Sequence, residues 1–416
     1  MRKSTILYLL LGVLTISCSS TPEITLRVTN PMDQKRSDAI ILLSRGEISG
    51  WTTIPENQLP VLKNPHGDFI PCQADDLDGD GNWDELLGLT DLEAAGHQNI
   101  LLGFVSPEEY PVFPARTNLH LGDAKENYQK LKRADRLEGV SYHNYSGRTG
   151  AAFQMEGPAW ENDNVGFRNY LDQRNGFDIF GKTTPEMVLD NVGKEGEPSY
   201  HEPGEWGLDV LKVGTSLGAG GIGYMFNDSI YRVGDSGSGT YQVLFHGTQR
   251  SRFNLNYTNW MVEDQALNVT HQIEIVAGRH YYQGMVTYSG SEEPMSLVPG
   301  IVNMKSDSLH VIKLNDHYTA LFTFDQQSED GSLLAMALVV PSAYLKSTGE
   351  TRNEGEGIIQ TYYAVLDASP GEPVPYRFYS LWEKENQKWS SMEEIENYLK
   401  TEAERWTQSV VFTSQL

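Results

Sequence analysis

The alternation of apolar and polar residues constrains this chain most. RFNLNYTNWMV (252–262), NVTHQIEIVAG (268–278) and HYYQGMVTYSG (280–290) switch character at every second residue through much of their length. That period suits a strand with one face on a core and does not suit a helix, whose apolar positions recur every three or four residues. Similar strand-like runs are ITLRVTN (24–30), AIILL (39–43), ELLGLTDL (85–92), NILLGFV (99–105), YQVLFHG (241–247), YTALFTF (318–324), LLAMALVV (333–340) and IIQTYYAVL (358–366). Gly and Asp-Gly punctuate them as turns. The pattern predicts a mainly β protein built of antiparallel sheets.

One segment breaks the pattern clearly. SMEEIENYLKTEAERWTQ (391–408) opens with Ser391 and Glu394 at capping-box spacing and places Ile395, Leu399 and Trp406 near one face, so it predicts a helix. DAKENYQKLKRADRLEG (123–139) is polar throughout and reads as a weaker helix or a linker dividing the chain. The expected organisation is a small β-sandwich over residues 22–110 and a larger antiparallel β-sandwich of supersandwich type over residues 140–410, with the C-terminal helix packed on it.

The amino-terminal MRKSTILYLLLGVLTISCSS pairs a positive start, Arg2 and Lys3, with an apolar stretch over residues 6–16. That stretch is too short to span a bilayer as a stable helix and reads as an export signal over residues 1–17. Cys18 follows the small Ser17 as in a bacterial lipoprotein site, although Thr15 stands where Leu is usual. The expectation is an exported, membrane-anchored lipoprotein with acyl chains on Cys18, at the periplasmic face or the cell surface. The remaining cysteine, Cys72, then has no disulfide partner, so the core alone must hold the fold.

The formal net charge of −24 argues against nucleic acid as a partner and repels anionic polymers at long range. An acidic ligand therefore needs a local cluster of Arg, Lys and His. FQMEGPAWENDNVGFRNYLDQRNGFDIFGK (153–182) and SYHEPGEWGLDVLKVG (199–214) provide such residues among aromatics and carboxylates. Aromatic faces cover the C–H face of a pyranose, carboxylates pair with its hydroxyls, and Arg forks hold a carboxylate or sulfate. Glu156, Trp160, Asp172, Arg174, Lys182 and Trp206 are the candidate substrate-binding residues. Arg168, Tyr170, Tyr200 and His201 are the candidate catalytic ones. The plainer readings are an Arg168–Asp172 ion pair, tryptophans in a core and a structural histidine. On an extended strand, neighbours such as Tyr200 and His201 face opposite ways, which counts against both lining one pocket.

No HExxH or CxxC occurs, so a catalytic zinc site is not indicated, and no cofactor is required. The Gly-rich GTSLGAGGIGYMF (214–226) lacks the Lys-Ser/Thr of a phosphate loop and reads as a close-packed strand. DLDGDGNWDE (76–85) places Asp76, Asp78, Asp80 and Asp84 at calcium-loop spacing. Leu87 stands where the closing Glu belongs and a strand follows, so the alternatives are a structural calcium loop of different closure or a bare Asp-Gly turn.

QADDLDGDGNWDELLGL, MEGPAWENDNVGFRNYLDQRNGFDIFGKTTPEMVLDNVG, SYHEPGEWGLDVLKVG and SLGAGGIGYMF together resemble a family of exported Bacteroidota proteins described as a domain of unknown function, from about residue 24 to residue 410. The resemblance implies a setting in polysaccharide utilisation. It also implies an oligosaccharide dehydratase acting on uronate-terminated fragments of ulvan-like polymers. Removing the C5 proton and 4-hydroxyl of a terminal glucuronate or iduronate needs a cation on its carboxylate, a base and an acid. Arg168 or Arg174, His201, and Tyr200 or Tyr170 are assigned those roles from the residues themselves. The alternatives are a polysaccharide lyase, which expels a sugar by the same proton abstraction, and a non-catalytic glycan-binding lipoprotein. Nothing in the sequence speaks to oligomeric state.

Overall fold

The alternating runs assemble into antiparallel sheets in a computed structural model that describes residues 23–135 and 152–415. The largest sheet has nine strands, in the order Arg133–Asp135, Ser238–His246, Arg250–Val262, Gln265–Val276, Tyr281–Ser289, Val374–Trp382, Leu334–Pro341, Tyr318–Asp325 and His310–Lys313. Leu267, Val269, Ile273, Tyr282, Tyr376 and Phe378 turn one way, into the main core. Tyr281, Ala337, Val339, Tyr379 and Leu381 turn the other way, onto the helix Met392–Thr407 through Ile395, Leu399 and Ala403. The central strands are apolar on both faces because both faces are covered. The Ser391 side chain accepts from the Glu394 N–H at 3.4 Å, which starts the helix as the sequence predicts.

Two five-stranded sheets close the main core. One comprises Thr117–His120, Ala159–Asn162, Val165–Asn169, Phe177–Lys182 and Gly207–Asp209. The other contains the Gly-rich strand Ala219–Phe226, flanked by Ser229–Arg232 and Met295–Val302. Gly220 has φ +83°, and a Cβ there would lie 2.3 Å from the Tyr282 hydroxyl, so the glycine permits the close approach read from its sequence.

Residues 24–105 form a three-stranded sheet and four strands of a five-stranded one, completed by Val411–Gln415, around a core of Ile41, Leu43, Leu62 and Leu102. Val411–Gln415 pairs with Ile24–Thr29, so the end of the chain returns to its beginning. Cys72 is buried there as a free thiol.

Residues 123–135 are not helical. With no apolar stripe to bury, they form a turn and two short strands, and Arg133–Asp135 joins the edge of the nine-stranded sheet. A short helix at Arg45–Trp51 interrupts the strands, and Ser44 and Glu47 form a reciprocal capping box at its start. The export segment, Cys18 and residues 136–139 lie outside the described residues.

Candidate functional site

The stretch that reads as a polar surface is a buried hairpin. Val165–Asn169 and Phe177–Lys182 pair antiparallel, with Arg168 directly opposite Asp178. Period-two alternation sends Trp160, Phe167, Phe177 and Ile179 into the main core. Ala159, Glu161, Arg168, Asp178, Phe180 and Lys182 occupy the opposite face, which residues 183–206 cover. Glu161 pins that cover, accepting from the Val188 N–H at 2.9 Å and the Leu189 N–H at 2.8 Å.

This arrangement removes two candidate substrate contacts. Trp160 is fully buried, with its ring 5.3 Å from Phe177, 5.1 Å from Phe253 and 5.4 Å from Tyr282, so it has no face for a sugar. Lys182 is buried and donates to Glu161 at 2.8 Å and to the Asn162 carbonyl at 2.6 Å. Its charge is used inside the fold. Trp206 is half-buried against Phe180, ring centroids 6.0 Å apart, in the small core under the cover.

Arg168 is also fully buried. Its guanidinium is bonded to Asp178, and it donates to the Tyr170 hydroxyl at 2.7 Å, to Asp209 at 3.3 Å, to the Tyr200 hydroxyl at 3.3 Å and to the Met155 carbonyl at 3.1 Å. These bonds occupy the fork expected to clamp a sugar carboxylate. Arg168 is therefore engaged within the fold, where it holds Tyr170, Tyr200 and the two carboxyls in place. The partner suggested by sequence spacing, Asp172, instead binds Arg174 through Nε at 2.9 Å. Arg174 also reaches Glu156 at 2.7 Å. Both guanidinium groups lie against the Tyr170 ring, at 4.4 Å for Arg168 and 4.0 Å for Arg174.

Tyr200 and His201 sit in a turn, not on a strand, so the objection from opposite strand faces does not apply. Their rings are 4.3 Å apart, and His201 Nδ1 is 3.5 Å from the Asp209 carboxyl. The His201 side chain is 60% exposed while Asp209 is only 3% exposed, which puts the imidazole at the mouth of the buried network. Asp178 and Asp209 were visible in the sequence only as acidic residues. The signal for Asp178 was the symmetry of the hairpin about Gln173, which sets it opposite Arg168.

Burial and the neighbouring Asp178 charge push Asp209 well above the usual carboxylate range, against the pull of Arg168. Burial raises Tyr170 well above its ordinary value and keeps its hydroxyl protonated. Burial and the Arg168 charge lower His201, so its imidazole is neutral and able to accept a proton. Burial lifts Glu156 to about 7 against the pull of Arg168 and Arg174. Glu156 also has φ +66°, beside Met155 at +54°, a left-handed pair costing on the order of 1 kcal/mol or more per residue.

Glu156 therefore makes stability depend on pH. Its folded pKa of about 7 exceeds the ordinary 4.5, so the folded state binds more protons between these values and loses stability as pH rises through them. The loss reaches roughly 3 kcal/mol above the folded pKa. Glu156→Gln should remove it. In urea unfolding, the variant should be more stable than the parent at pH about 8 by up to that amount, and should match it near the ordinary carboxyl pKa. A difference independent of pH would show that Glu156 does not titrate in this window.

The acidic loop is a separate feature. Asp76, Asp78 and Asp84 can bring carboxylate oxygens within 4.8 Å of one another, and Asp80 falls outside that group. Asp76 accepts from the Gly79 N–H at 2.7 Å and the Gly81 N–H at 2.9 Å, and the Gly81 bond in particular holds it below the usual carboxylate range. Asp84 accepts from the Leu77 N–H at 2.7 Å. The strand Glu85–Leu92 follows, so the loop has no helix of an EF-hand after it.

No curated protein matches the chain. Among solved structures, an α-mannosidase from Enterococcus faecalis V583 is similar at 7% identity and a TM-score of 0.40, over 95% of this chain and 46% of that one. A protein in glycosyl hydrolase family 38 from Enterococcus faecalis is similar at 6% identity and a TM-score of 0.42, over 95% of this chain and 47% of the other. The chain thus spans just under half the length of either. The sequence itself matches the family described as "Domain of unknown function (DUF4861)" over residues 28–411, and the chain belongs to that family.

Proposed function

We propose that the chain is a carbohydrate-active oligosaccharide dehydratase, eliminating water from a non-reducing-end uronic acid of an ulvan-like oligosaccharide to leave a 4,5-unsaturated end. One observation carries the reading. An exposed, neutral imidazole at the mouth of the site stands 3.5 Å from a buried carboxyl, beside tyrosine hydroxyls ordered by a guanidinium. His201 takes the C5 proton, and the C5–H electron pair forms the 4,5 double bond. The C4–O bond breaks, and the hydroxyl leaves as water with a proton from Tyr170 or Tyr200. Arg174, which is shared with Asp172 and Glu156 but is less buried than Arg168, faces the substrate carboxylate and helps make the C5 proton acidic.

The test is mass spectrometry with ultraviolet absorbance on saturated, uronate-terminated oligosaccharides. Loss of one water with rising absorbance and no shortening is the expected result. Shorter unsaturated products would make the protein a polysaccharide lyase. No change across several acidic oligosaccharides would leave glycan binding as the function.

The same reading takes the protein out of the cell, held at a membrane face by acyl chains on Cys18. Cys18→Ser should move it from the membrane fraction to the soluble exported fraction, with most of the material shifting. An unchanged distribution would reject lipid anchoring at this residue.

A further inference from the structure

A cleft of about 430 Å³ opens away from the Arg168 network and shares no lining residue with it. Its walls come from the strand Arg36–Ser44, the helix-facing side of the nine-stranded sheet, and the C-terminal helix with the segment after it. Arg36, Arg250, Arg279, Arg377 and Arg405 line it, against the carboxylates of Glu274 and Glu402. In a chain whose Asp and Glu outnumber Lys and Arg by 56 to 32, five arginines around one cleft reverse the sign of the molecule locally.

Protein carboxylates neutralise this cluster only in part, with Glu402 acting on Arg36, Arg279 and Arg377 as well as on Arg405. Arg250 is matched by Asp75 and by Glu85 at 2.8 Å, and Glu274 is bonded to Arg252 on the same sheet. Arg405 takes Glu402 at 2.6 Å. The other three bond to neutral acceptors. Arg36 reaches the Gln408 carbonyl, Arg279 the Asp38 carbonyl at 2.5 Å, and Arg377 the Gln283 side chain at 3.2 Å. Arg36 is only 5% exposed, and its Nε–H has no partner. Burial and the Arg405 charge press Arg36 below the ordinary arginine value against the pull of Glu402, whereas Arg279 and Arg377 are held above it. Like charges gathered in a partly desolvated cleft are costly unless a counter-charge joins them.

The aromatic groups narrow the ligand class. Trp406 is stacked on Tyr318 at 4.2 Å and carries Arg377 at 3.9 Å, and Tyr281 is engaged by Arg377 and Tyr379. These rings already have partners, so the feature the cleft offers is its set of guanidinium donors, which fit an oxyanion.

We propose that this cleft binds a compact tetrahedral oxyanion, a sulfate or phosphate group, with Arg36, Arg279, Arg377 and Arg405 as its ligands. The oxyanion is either a free ion or an ester group on a larger molecule.

Isothermal titration and thermal unfolding of the full chain would test it with sodium sulfate, sodium phosphate and galactose 6-sulfate, against sodium chloride at equal ionic strength. Sulfate or phosphate should bind with a dissociation constant below about 1 mM and raise the unfolding temperature beyond the chloride control. Arg36→Met should weaken binding by roughly 10–100-fold, the loss of one charge-assisted contact. Arg405→Met, at a half-buried position, should do the same and serves if the Arg36 variant does not fold. Binding of the free ions assigns a free-ion site, and binding of the sugar sulfate alone assigns an ester site. If no probe binds, or if the parent and Arg405→Met respond equally to sulfate, the proposal is overturned. None of these residues takes part in the proposed dehydration, so either proposal can fail without the other.

Discussion

Replacing Arg168 by methionine is expected to lower the free energy of unfolding by about 4 kcal/mol at neutral pH, the usual scale for removing one partner of a buried ion pair. Arg168 and Asp178 each have side chains only 1% exposed. Methionine fills much of the volume but leaves Asp178 without its counter-charge, and it removes donors from the Tyr170 hydroxyl and the Met155 carbonyl. Adding Asp178→Asn should recover roughly 2 kcal/mol, because the orphaned charge is then gone. Arg168→Lys keeps the charge but cannot serve Asp178, two hydroxyls and a carbonyl from one ammonium, so it should recover only part of the loss. Urea unfolding of the single and double variants gives the comparison. A loss under about 1 kcal/mol for Arg168→Met, with no coupling to Asp178, would mean that the network does not hold this face together.

Much of the fold was legible because alternation is a local signal. ELLGLTDL (85–92) corresponds residue for residue to the strand Glu85–Leu92, and the helix Met392–Thr407 starts at its expected cap. The strands nearest the site were hidden because every residue in Val165–Asn169 and Phe177–Lys182 is buried. One face meets the main core and the other meets residues 183–206, so no exposed face remains to mark the period. Composition alone then made Arg168 and Lys182 resemble surface cations. Their roles depend on long-range register, which sets Arg168 opposite Asp178, and on the Glu161 carboxylate that receives Lys182. The gathering of Arg174, Asp172, Glu156, Tyr170, Tyr200 and His201 follows the sequence more closely, because these residues flank one hairpin and its cover. The arginine cleft joins residues from 36 to 405, and no local pattern announces it.

Replacing His201 by alanine should reduce turnover of a uronate-terminated oligosaccharide by roughly 10²–10⁴-fold, the contribution of a positioned general base. Stability should change by less than about 0.5 kcal/mol, because the side chain is largely exposed and its contacts are the Tyr200 ring and the Asp209 carboxyl. That split separates it from Arg168→Met, which should unfold the site and lose activity with it. The pH profile distinguishes the two groups able to act as base. Burial and Arg168 hold the His201 imidazole below its ordinary 6.5, so a limb of kcat/KM set by His201 should rise below that value. Glu156, lifted to about 7 by burial, would place the limb higher. Retained turnover in His201→Ala, with a limb near 7 that disappears in Glu156→Gln, would transfer the proton abstraction to Glu156 and leave His201 as a group at the rim. Loss of turnover in His201→Ala with a limb below 6.5 in the parent would fix the imidazole as the base, with Asp209 orienting it from beneath.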